Sequence, residues 1–115
     1  MAAPVLNVDT NQGTGMALSG FNQGVVNGVI ADATISGANT YATLYARVLA
    51  NIPTDPIDEQ QSDNMVVLRS LKLGNALGIL TDTNLNSLTT VAAVRALFTA
   101  TNPALPATYM GDNIS

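Results

Sequence analysis

Apolar residues along this chain recur mostly at helical spacing. Tyr41, Leu44, Tyr45, Val48, Leu49 and Ile52 fall on a single stripe, the signature of an amphipathic helix over residues 40–52. Asn39 is placed to cap its start, and Pro53 to stop it. From Asn64 to Phe98, two apolar-rich runs flank Thr81-Asp82-Thr83-Asn84 and read as a helical hairpin. Its first run spans residues 64–80, with Val66, Leu73, Leu77 and Leu80 near one face. Its second spans 84–101, with Leu88, Val91, Val94, Leu97 and Phe98 apolar and Asn102-Pro103 as the stop.

Residues 16–35 admit two readings. As a helix, Leu18, Phe21, Val25 and Val29 share a face, and Gly20, Gly24 and Gly28 line a neighbouring stripe at four-residue spacing. Each mid-helix glycine costs about 1 kcal/mol relative to alanine, so this reading requires close helix packing at the stripe. As strands, the β-branched run from Val25 enters a hairpin turning at Ser36-Gly37-Ala38-Asn39. Residues 1–15 read as an extended arm. Pro4 favours extended backbone before it, and Val5, Leu6 and Val8 serve as anchors, on an adjacent subunit or on the same domain. Residues 103–115 read as an irregular tail, with Tyr109, Met110 and Ile114 as anchors.

The expected fold is therefore mainly α: a small domain of three or four helices over residues 16–102, an extended N-terminal arm over 1–15 and an irregular tail over 103–115. The alternative is α+β, with a short hairpin in 16–35. One domain is what 115 residues allow.

Charge changes this picture more than size does. Only 10% of residues are charged, against roughly 25% in a typical soluble domain. The surface must be largely Asn, Thr, Ser, Gln and Gly. Neutral groups cost less than ions to dehydrate, so such a surface favours subunit contacts. The net charge is -4, and the four bases, Arg47, Arg69, Lys72 and Arg95, are too scattered for a phosphate-binding patch. No direct nucleic-acid binding is expected.

Half of the acids, Asp55, Asp58, Glu59 and Asp63, fall in the Pro-bounded stretch 53–63. It reads as a solvated loop in which Ser62 or Asp63 caps the following helix. As a calcium loop it lacks the twelve-residue spacing. Arg69 and Lys72, three apart, share a face and can meet the acidic loop of a neighbouring copy; isolated surface charge is the alternative. Tyr41 and Tyr45 form an i, i+4 pair suited to core or interface packing, with ligand binding as the alternative.

Catalytic chemistry has few carriers here. The chain has no His and no Cys, which removes the commonest acid–base group and the thiolate nucleophile. An Asp32–Asp82 carboxylate pair is formally available, though nothing in their spacing singles it out. GFNQGVVNG lacks the order of a phosphate loop. No cofactor or metal is expected. MAAPVLNVDTNQG has neither the basic region nor the apolar core of a secretory signal, and no run of residues is apolar enough to span a bilayer.

These features favour a non-enzymatic structural subunit. The leading expectation is a viral capsid, decoration or tail component, located in the virion, whose partners are copies of itself and another structural protein. The alternatives are a small non-catalytic protein-binding or adaptor domain, and a cellular filament or surface-layer subunit in an extracellular or cell-surface assembly. Interface candidates are Val5, Leu6, Val8, Gly20, Gly24, Gly28, Tyr41, Tyr45, Arg69, Lys72, Tyr109, Met110 and Ile114.

Overall fold

The computed structural model describes the backbone of residues 3–53 and 58–110, and the side chains of 13–53 and 64–110. Among these the chain is helical and has no strand: α1 (Ala3–Val26), α2 (Asp32–Ile35), α3 (Tyr41–Asn51), α4 (Asp58–Ala76), α5 (Asp82–Leu85) and α6 (Val91–Thr101). Four are long and two are single turns, in agreement with the expected small helical domain.

Several boundaries differ from expectation. The extended arm over 1–15 is replaced by α1, which starts at Ala3. Pro4 sits in its first turn, where a missing N–H breaks no helical hydrogen bond. The helix expected from Asn64 starts at Asp58, so most of the presumed acidic loop is its first turns, where carboxylates suit the positive end of the helix dipole. The hairpin alternative for 16–35 is absent; α1 runs to Val26 and α2 follows. The final helix begins at Val91, after the separate turn α5. The cap of α3 is Thr40, whose hydroxyl accepts from the Thr43 N–H at 3.2 Å. Asn39 lies at φ 64° and instead accepts the Ser87 N–H at 3.1 Å.

The chain is built twice. Gly24, Gly28, Asp32, Thr40, Pro53 and Pro56 recur, at a constant offset of fifty positions, as Gly74, Gly78, Asp82, Thr90, Pro103 and Pro106. The order long helix, single turn, helix repeats with them. Both long helices end in the same closure. The Val29 N–H donates to the Gly24 carbonyl at 3.0 Å, and the Ile79 N–H donates to the Gly74 carbonyl at 3.0 Å. Gly28 and Gly78 supply the left-handed residue, at φ 81° and 80°. The turn carries Ile30, and in its mate Leu80, back onto the helix end. A Cβ at Gly24 would lie 2.9 Å from Val67 Cγ1, and one at Gly74 would lie 2.8 Å from Leu80 Cδ1.

The halves interlock. α1 packs on α4, α3 on α4 and α6 on α1, so the last helix of each half rests on the first helix of the other. At the α1–α4 crossing a Cβ on Gly20 would overlap the Ser70 hydroxyl. Gly20 and Ser70 are themselves mates, which puts an approximate two-fold relation through that crossing. The core follows the same pairing: Phe21 with Leu71, Ile35 with Leu85, Leu44 with Val94 and Val48 with Phe98, all buried. Phe21 and Phe98 meet across the α1–α6 contact with centroids 5.8 Å apart.

Candidate interaction surface

Asp32 and Asp82, the carboxylate pair available in the sequence, are each engaged at a helix start. Asp82 accepts the Tyr41 N–H at 2.9 Å, and Asp32 accepts the Val91 N–H at 2.8 Å. Each aspartate therefore caps the first turn of the other half's helix, while Thr40 and Thr90 serve their own helices from within. A carboxylate at a helix N-terminus is favourable both as acceptor and as charge. Each carboxylate thus adds a polar tie between the halves to the helix packing that interlocks them.

One strip of α1 is covered by the tail. Asn22 is buried; its amide donates to the carbonyls of Ala107 at 3.0 Å and Tyr109 at 2.8 Å. Its oxygen accepts from Arg95 Nε at 2.7 Å. The Ser19 hydroxyl donates to the Met110 carbonyl, and a Cβ at Gly15 would stand 3.3 Å from the Tyr109 ring. Gly15, Ser19 and Asn22 thus form a seat for the tail backbone, which turns there through a Tyr109 N–H to Pro106 carbonyl bond of 3.0 Å. Tyr109 and Met110, read as anchors, sit on this seat and are partly buried on their own chain.

The matched strip on α4 is Met65, Arg69 and Lys72. It is open: Met65 is 48% exposed, and both cations are exposed. The mate of the Asn22–Arg95 pair is Lys72 with Tyr45. There Lys72 Nζ lies 5.7 Å from the ring centroid of Tyr45, a cation–π arrangement. Tyr45 in turn lies 5.9 Å from Tyr41, ring to ring. Burial, and secondarily the neighbouring Tyr45, raises the Tyr41 hydroxyl above its ordinary value, so it stays protonated near neutral pH and supplies no base.

The other two cations are used internally. Arg95 holds Asn22, and Arg47 donates to the carbonyls of Ser36 at 2.7 Å and Thr34 at 3.3 Å. Of the remaining interface candidates, Gly20 and Gly24 lie at close approaches within this chain, and Gly28 is a turn residue, not part of a helical stripe. Val5, Leu6 and Val8 fall on α1, but their side chains lie outside the described residues, as does Ile114. The acids of 55–63 are likewise outside the described side chains. Among the described residues no three acidic side chains gather as a metal site, and no helix is long and apolar enough to cross a membrane.

Sequence reasoning missed Ser19, Asn22 and the crossed roles of Asp32 and Asp82. The signal for all of them is the fifty-residue recurrence, above all the matched prolines and aspartates. Comparison with protein-family models, with curated proteins and with solved structures returns no match.

Proposed function

We propose that the chain is a non-enzymatic structural subunit that self-associates in an ordered assembly. A viral capsid, decoration or tail component is the setting its composition favours. The observation that carries this reading is the combination of a charge-poor surface with exposed large apolar side chains. Met16 and Val66, mates at the α1–α4 crossing, are 63% and 41% exposed, and Val26 and Leu49 are 70% and 51% exposed. Such groups are inexpensive to cover, because few ions must be dehydrated with them.

The tail contributes its backbone at residues 107, 109 and 110 to its own α1. The surface offered for association is therefore the exposed faces of the helices. Light scattering on the size-fractionated protein at micromolar concentration tests it. Particles well above the mass of a dimer are expected; a protein that stays monomeric across that range would overturn the proposal.

A further inference from the structure

The two halves share a scaffold but not a cover. On α1, the strip Gly15, Ser19 and Asn22 takes the backbone carbonyls of residues 107, 109 and 110. On α4, the mate strip Met65, Arg69 and Lys72 takes nothing among the described residues except the Lys72–Tyr45 contact. The chain segment matched to the covering tail is PTDPIDEQ, residues 53–60, against PALPATYM, residues 103–110.

The two segments keep their prolines in register but differ in charge in step with the strips. The neutral strip holds the neutral segment. The strip bearing two cations is matched to the segment bearing Asp55, Asp58 and Glu59. Within one chain the described part of that segment, from Asp58 onward, is the backbone of α4 itself, and so does not lie across the strip as residues 107–110 lie across α1.

We propose that the open strip Met65–Arg69–Lys72 is a docking surface for a second copy of this chain, which presents its acidic stretch Asp55–Asp63 to the two cations. The proposal deepens the self-association reading above and rests on it. Among the described residues Arg69 and Lys72 make no hydrogen bond or ion pair, unlike Arg47 and Arg95, and half of the chain's acids lie in the complementary stretch. Lys72 is held over Tyr45, so it is partly oriented before the second copy arrives. Met65 offers an apolar contact beside it. Opposed charge of this kind selects the register of association and makes it salt-dependent.

Sedimentation velocity on the full chain tests this, with circular dichroism confirming that each variant keeps its helices. The doubly reversed variant Arg69→Glu/Lys72→Glu, and its neutral counterpart Arg69→Gln/Lys72→Gln, should need a roughly tenfold or higher concentration to associate. The variant Asp55→Lys/Asp58→Lys/Glu59→Lys should be impaired alike. Mixing the two charge-reversed chains should restore association, since the complementary contact reforms between them. Wild-type self-association that neither the reversed nor the neutral strip variant alters would overturn the docking site while leaving self-association intact. Association lost on strip reversal but untouched by reversing the acids would overturn the assigned occupant. A monomeric wild type would overturn both this site and the function above.

Discussion

The first and second halves of this protein answer the same structural problem with different side chains. Where α1 ends, Gly28 turns the chain left-handed, and where α4 ends Gly78 does so at the same φ within a degree. Where the halves meet, each gives an aspartate to the other's helix. Beyond this shared frame they diverge. The α1 strip is small and polar and is sealed by the tail; the α4 strip is long and cationic, and among the described residues only Tyr45 meets it, at Lys72. A duplicated scaffold fixes backbone closures tightly, because a positive φ or a close crossing tolerates few residues. It leaves the outward strip free to take a new role.

That comparison can be broken most severely in the interlocked core. Phe98 fills on α6 the place Val48 fills on α3, and it meets Phe21 across the half boundary. Phe98→Ala should cost about 3–5 kcal/mol, read from denaturant melts. Because the halves share that contact, the loss should appear as one cooperative transition; two separated transitions would show halves that fold independently.

A smaller effect sharpens the difference between the strips. Asn22→Ala removes both donors to the tail and the acceptor for Arg95, and should cost about 1–3 kcal/mol. The matched change Lys72→Ala, on an exposed side chain, should fall within roughly 0.5 kcal/mol of wild type. Equal losses at the two positions would mean that the strips are equivalent after all. Finer still, Gly28→Ala and Gly78→Ala meet no neighbouring atom, so each pays only the left-handed backbone cost of about 1–2 kcal/mol. The two losses should agree with each other in thermal melts.

Much of the fold was legible in the sequence. The stripe Tyr41 to Ile52 became α3 nearly residue for residue, because its apolar period and Pro53 agree. The length of α1 was not legible: Pro4 and the glycines speak against helix locally, and it is packing against α4 at Gly20 and Ser70 that overrides them. The start of α4 was missed because an acidic, Pro-flanked run is equally a loop and a helix first turn. The covered strip was invisible because Ser19 and Asn22 are ordinary polar residues, and their partners lie more than eighty positions away. The exposed pair Arg69 and Lys72 was legible, since charge in so charge-poor a chain stands out.

Crossed capping by Asp32 and Asp82 is the polar link between the halves. Amide hydrogen exchange on Asp32→Ala and Asp82→Ala resolves it directly, with each substitution expected to cost about 1 kcal/mol. Asp82→Ala should speed exchange at the Tyr41 amide and spare Val91, and Asp32→Ala should do the reverse. If instead each aspartate protects only the helix that follows it in its own half, the crossed capping does not exist and the halves are joined by helix packing alone.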